Sequence, residues 1–313
     1  MSTEAVRPIG VPGVPWGPSE RAQWKAQQSV KRSYADDVLR RIEGLRNSWD
    51  VVEYGSLDAT DDGHPLVALR SRAWANDGPV AVITGGVHGY ETSGVLGALS
   101  FAEEYVGRFI GHIDVLVAPC VSPWAYERIH RWNAAAIDPN RSFRDHTPVV
   151  EAAAFMRLVA PFRNRVIVHL DLHETTDSDE TEFRPALSAR DGVDYEPGEI
   201  PDGFYLCGDT ENPELEFQAA VIRAVANVTH IAPADARGEI IGTPISAPGV
   251  ILYTMRELGL CAGMTDAAFT TTTEVYPDSP RTSPDECVAA QVVAACAGIE
   301  FALDATASGG VRA

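Results

Sequence analysis

VAVITGGVHGYE, residues 80–91, reads as a buried β-strand that runs into a glycine turn. Val80, Ala81, Val82, Ile83 and Thr84 are apolar or β-branched, as suits a strand covered on both faces. Gly85 and Gly86 break the run, and His88 and Glu91 follow at once. Imidazole nitrogen and carboxylate oxygen both bind Zn²⁺ well, and a catalytic zinc takes three protein ligands and keeps one open position. Alone, a His-x-x-Glu tetrapeptide arises often by chance.

Outward from this strand the chain alternates between strand-like and helix-like segments. Residues 33–48 place Val38, Leu39, Ile42 and Leu45 at helical spacing. Residues 51–57 and 65–72 read as two strands of an antiparallel edge, joined at Asp61-Asp62-Gly63. Residues 92–107 form a helix, 113–118 a buried strand, 122–143 a polar and aromatic loop, 148–162 a helix and 165–172 another strand. Residues 175–205 show no clear periodicity, and such a stretch inside a compact domain is often a functional loop. A helix is expected over 213–228, with Asn212 as its cap and Pro213 at its first position. Residues 249–259 suit a helix or a strand, 269–275 (FTTTTEV) a strand, and a last helix runs from Ser283 to about Leu303. This alternation predicts a three-layer α/β sandwich, its sheet mixed, mostly parallel and twisted, with flanking helices. The simplest division is an N-terminal arm and helix over 1–50, a single catalytic domain over 51–304 and a tail over 305–313.

The 313 residues are 45% hydrophobic, enough for a sizeable core. A formal net charge of −19 argues against nucleic acid and anionic membrane as partners, and solubility is its plainest explanation. No apolar run of transmembrane length and no basic-then-apolar secretory start is evident. Five scattered cysteines without CxxC spacing suggest buried reduced thiols, and with them a cytoplasmic protein.

Three further clusters bear on His88 and Glu91. In VIVHLDLHE, residues 166–174, His169, Asp171 and His173 alternate and share one face of a strand. Ligands of open α/β sheets bind beyond the carboxyl ends of strands, where His88 and His173 both fall. His169 lies roughly 13 Å further back, too far to share an ion, so His173 is the expected third ligand. A core or supporting role is left to His169, and Asp171 suits either an orienting or a purely structural carboxylate. The second cluster pairs Arg131 and Asn133 with Asp138, Asn140 and Arg141. Guanidinium forks match carboxylates bidentately and suit a developing oxyanion, although surface ion pairing is the plainer alternative. The third is Glu274, a carboxylate that could serve as general base beside an activated water, yet one of 44 acidic residues.

The order HGYE, RWNAAAIDPNRSF, DLHE and TEV resembles the zinc carboxypeptidase superfamily, which includes carboxypeptidase A-type enzymes and the succinylglutamate desuccinylase/aspartoacylase group. The resemblance spans residues 88–274 and implies one Zn²⁺ per chain, held by His88, Glu91 and His173. It further implies that Arg131 polarises the scissile carbonyl, Asn140 and Arg141 hold a substrate carboxylate, Asp138 supports His88, and Glu274 is the catalytic base. Pro139 stands where leucine or alanine is common, and Ala134-Ala135-Ala136 lacks the usual glycine, without loss of a functional side chain. Tyr205 and Tyr253 are candidates for the mobile tyrosine of these enzymes, a structural role being the plainer one for either; Tyr90 has no assigned role. The substrate implied is a peptide or an N-acyl amino acid with a free carboxylate. A metallocarboxypeptidase is the first reading and an N-acyl-amino-acid deacylase the second; a non-catalytic binding protein of the same fold would have lost Glu274 or a ligand. Another divalent metal is compatible with the same donors.

Overall fold

The chain enters through α1 (Pro18–Gln27) and α2 (Arg40–Gly44) before its first strands, in a computed structural model that describes residues 9–57, 63–72, 74–75 and 77–308. β1 (Trp49–Ser56) and β2 (Pro65–Ser71) pair antiparallel, as expected; Asp61 and Asp62 of the predicted turn lie outside the described residues. There follow β3 (Val80–Gly85), α3 (Thr92–Ser100), β4 (Asp114–Ala118), α4 (Pro123–Arg128), α5 (Val150–Val159), β5 (Val166–Glu174), α6 (Arg184–Asp191), β6 (Tyr205–Asp209) and α7 (Leu215–Val225). A small ribbon of β7 (Glu239–Ile240) and β8 (Thr243–Pro244) precedes β9 (Val250–Tyr253), α8 (Met255–Leu258), β10 (Phe269–Val275) and α9 (Pro284–Ala307).

Among the described residues, eight strands form one sheet in the order β1-β2-β4-β3-β5-β10-β6-β9. Its centre, β4-β3-β5-β10, is parallel throughout, while β2 joins β4 and β6 joins β10 antiparallel. Every residue of β3, β4 and β5 is buried, which the continuous apolar runs foreshadow. On one face, Ile83, Leu170 and Leu172 pack with Val95, Leu99, Val221 and Ile299 of α3, α7 and α9. On the other, Val80, Val82 and Leu116 meet Ala152, Phe155 and Val159 of α5. The result is the expected three-layer sandwich with a mixed sheet, parallel at its centre.

Local expectations fail where tertiary contacts override local chemistry. α7 starts at Leu215, because Glu214 takes a left-handed φ of 39° and the Asn212 amide donates instead to the Ala268 carbonyl, 2.7 Å away. The region 249–259 divides into β9 and the short α8. The stretch 175–205 is not wholly irregular: residues 179–191 are helical, a π turn running into α6. α9 begins after Ser283, as expected, with a capping box between Ser283 and Glu286, and continues to Ala307, beyond the expected Leu303. By length and apolarity α9 would also cross a membrane, yet it packs on α3, α7, β5 and β10 as a core helix. All five cysteines are buried and free.

Candidate active site

Strand register brings the chemistry together. Gly85 of β3 aligns with Leu172 of β5, and Glu274 of β10 aligns with His173. The carboxyl ends of three neighbouring parallel strands therefore open onto one place, where α/β sheets bind ligands. Beyond β3, Gly86 turns the chain with a φ of 58°, a conformation favoured by glycine. Gly89 passes so close to α4 that a Cβ would stand 2.0 Å from the Ala125 carbonyl carbon. His88 and Glu91 are thereby fixed on either side of it.

Donor atoms of His88, Glu91 and His173 all lie within 4.8 Å of one another, and the three residues are buried. Nδ1 of His88 is 2.8 Å from Glu91 Oε1, and Nδ1 of His173 is 2.7 Å from Oε2. The far ring nitrogens are held by aspartates: His88 Nε2 by Asp138 Oδ1 at 2.9 Å, and His173 Nε2 by Asp171 Oδ2 at 2.6 Å. The aspartates keep a proton on each Nε2, so both Nδ1 atoms face the same carboxylate, and a bound cation would take the place of the proton between them. Glu91 Oε2 is buried without a well-directed hydrogen bond, despite its short distance to His173. This donor set fits a dication.

The electrostatics are those of a buried anionic pocket. Burial opposes the Glu91 charge, but His173 and His88 outweigh it and bring its pKa down to about 2. Burial likewise opposes the His173 imidazolium, which Asp171 and Glu91 hold protonated well above the usual range. Asp138 stays far below its ordinary value despite burial, through Arg131 and His88. Burial raises Glu274 to about 8, against the pull of His173 and with the repulsion of Glu91. Its Oε2 accepts from Thr175 Oγ1 at 3.0 Å, and Thr175 also contacts the Tyr205 hydroxyl at 2.8 Å.

A cavity of about 790 Å³ takes in His88, Glu274, Arg131, Asn140 and Arg141, so the predicted groups outside the trio meet it on one surface. Arg131 Nε donates to Asp138 Oδ2 at 3.1 Å. The Asn140 carbonyl oxygen accepts from Cys261 N–H at 2.7 Å, and its amide nitrogen lies 3.4 Å from His173 Nε2. Arg141 donates to the Asn140 backbone carbonyl, and no carboxylate pairs with it among the described residues. Tyr205 and Tyr253 both line the cavity.

No protein-family model and no curated protein matches the chain. Solved structures do. A candidate metallopeptidase from Shewanella amazonensis aligns over 88% of this chain and 98% of its own, with a TM-score of 0.64 at 19% identity. A metallo-carboxypeptidase from Burkholderia cenocepacia covers 93% of this chain and 70% of its own, at 0.57 and 14%. One from Pseudomonas aeruginosa, solved with (2-guanidinoethylmercapto)succinic acid, covers 86% and 69%, at 0.56 and 17%. The chain has the zinc carboxypeptidase fold.

Within that fold, several residues gain roles that sequence reading did not supply. Asn133 does not reach the cavity: its side-chain oxygen accepts from Ala135 and Ile137 N–H and closes a turn. The Glu174 carboxylate binds the N–H groups of Thr92 and Ser93 at the start of α3, which fixes the backbone immediately after Glu91. His169 lies between the hydroxyls of Thr84 and Thr265, each 3.3 Å away, and Thr84 donates to Asp171 at 2.6 Å. Tyr90 donates to Asp179 and accepts from Arg131. An adjacent hydrophobic run could have flagged none of these; Asn133 finds its partners within four residues, while Glu174, His169 and Tyr90 each depend on partners more than 40 residues away.

Proposed function

We propose that the protein is a zinc-dependent hydrolase that cleaves an amide bond beside a free carboxylate, as a metallocarboxypeptidase does. The observation that carries this reading is the meeting, at three neighbouring strand ends, of a His-Glu-His trio with Glu274 and an arginine–asparagine wall. His88, Glu91 and His173 would hold the metal, with Asp138 and Asp171 fixing the two imidazoles. When bound, such a metal supplies Lewis acidity and makes water a nucleophile near neutral pH. Glu274, half-buried beside the trio, would take a proton from the attacking water and return it to the leaving amine. Arg131 faces the developing oxyanion, the charge whose stabilisation usually dominates such reactions. Asn140 and Arg141 anchor the substrate carboxylate. The succinic acid derivative bound to the Pseudomonas aeruginosa neighbour supports a carboxylate-bearing ligand.

An N-acyl-amino-acid deacylase uses the same trio and base, and the threonines that follow His173-Glu174 favour it, since Thr175 touches Glu274 directly. Peptides with free C-termini, set against N-acyl amino acids, separate the two readings. Cleavage of the peptides is expected; cleavage confined to the second set would reverse the choice. Glu274→Gln should keep the metal and lose about 10²- to 10⁴-fold in kcat. A variant of near-normal turnover would remove Glu274 from the role of base.

A further inference from the structure

Arg131 is gripped from two sides, by Asp138 of its own motif on one and by Tyr90 and Asp179 on the other. Its Nε donates to Asp138, which also holds His88. Its Nη1 lies 3.3 Å from the Tyr90 hydroxyl and 3.4 Å from Asp179 Oδ1. Its Nη2 has no protein partner among the described residues, and the guanidinium lines the cavity. A planar group fixed at Nε and Nη1 has one direction left for Nη2.

The second grip is itself built. Asp179 is buried, accepts the Tyr90 hydroxyl at 2.9 and 3.0 Å, and accepts Thr176 N–H at 2.8 Å. Tyr90 is buried as well: its ring packs 4.6 Å from Phe183, and its hydroxyl also approaches the Glu174 carbonyl at 3.3 Å. Two buried polar side chains pointed at one guanidinium need a partner, since an unpaired buried charge is costly. Tyr90 stands between His88 and Glu91 in sequence, and Asp179 opens the helical wall that carries Phe183, Arg184 and Leu187 along the cavity. The contact thus joins the loop of the trio, the cavity wall and Arg131.

We propose that Tyr90 and Asp179 are positioning residues that aim the free Nη2 of Arg131 into the cavity. This rests on the reading of Arg131 as the oxyanion donor. Neither residue touches the reacting atoms; both act through the guanidinium. Their loss should therefore lower kcat and leave KM nearly unchanged, the signature of an interaction made in the transition state alone.

Tyr90→Phe tests this with the least disturbance, because the ring keeps its contact with Phe183. We expect kcat to fall at least tenfold, with KM within twofold, full metal content and a melting temperature lowered by only a few degrees. Asp179→Asn should behave alike, and Tyr90→Phe added to Arg131→Ala should cost little more than Arg131→Ala alone, because both remove one function. Full additivity of the two would overturn the proposal. A crystal structure of metal-loaded Tyr90→Phe reads the same claim without activity: a displaced or multiply placed Arg131 guanidinium supports it, and an unmoved one overturns it. If Arg131→Ala leaves turnover intact, the oxyanion reading fails, and the position of the guanidinium in that structure still decides the proposal.

Discussion

His169 and His173 lie on the same strand and the same face, four residues apart, and meet opposite surroundings. His173, at the carboxyl end of β5, is held between Asp171 and Glu91, which outweigh burial and keep its imidazole protonated far above the usual range. His169, inside the sheet, meets two threonine hydroxyls, and burial pushes its pKa down to about 4. Both are buried. What separates them is depth along the strand: the end of β5 opens beside the turn after β3, while its interior faces neighbouring strands and a covering loop. The same residue type is thus a prospective metal ligand at one end and a neutral strut at the other.

The largest test of this contrast substitutes each histidine in turn. His173→Ala should abolish stoichiometric metal and lower activity by about 10³-fold or more, since the oriented nucleophile and its base lose their common centre. His169→Gln should keep the metal and most of the activity. Equal loss of metal from both variants, measured by elemental analysis, would erase the distinction.

The parts of the molecule that sequence made legible share this dependence on strand geometry. Strands β3, β5 and β10 fall within a residue or two of their expected limits, because long buried runs of β-branched and apolar residues admit little else. His88, Glu91, His173 and Glu274 lie at or beyond the ends of those strands, so alternation and register suffice to bring them together. Asn133 was legible as part of a motif and turns out to close a loop, since its side chain finds nearby N–H groups before it can reach the cavity. The α7 cap at Asn212 failed for a similar reason, a distant carbonyl competing for its amide. Tyr90, Asp179 and Thr175 carry no pattern of their own; their partners lie on segments that only folding brings near. The helical wall at 179–191 escaped because its apolar residues do not repeat cleanly: it faces a polar cavity on one side and the aromatic group of Trp132 and His130 on the other.

Smaller effects sharpen the comparison. Asp171→Asn should weaken metal binding by roughly 10- to 100-fold, as expected when a histidine ligand loses the carboxylate that orients it, and competition with a chromogenic chelator measures this. Asn can still accept the Nε2 proton, so retention of the fold is expected.

The depressed pKa of His169 gives the contrast a pH signature. The unfolded chain binds a proton near the ordinary value of 6.5, the folded chain only near about 4. Neutral His169 is therefore compatible with full stability above pH 6.5, and stability is lost progressively as pH falls from there towards 4. His169→Gln should flatten this part of the stability curve, by roughly 2–3 kcal/mol between the two limits. An unchanged curve from denaturant melts would mean that His169 is not held neutral.

Thr84→Val should have the smallest effect. It removes the hydroxyl that links His169 to Asp171 and should cost about 1–2 kcal/mol of stability, with metal affinity reduced only a few-fold. A loss of affinity as large as that of Asp171→Asn would show that the interior of β5 and its end act as one unit.

The most direct test of the central claim is the metal content of gently purified protein, together with X-ray absorption at the bound metal. The account predicts one zinc per chain, with two imidazole nitrogens at about 2.0–2.1 Å and carboxylate oxygen at about 2.0–2.2 Å, lost together in His173→Ala. Protein that holds no stoichiometric divalent metal, even after supply of zinc, would contradict it.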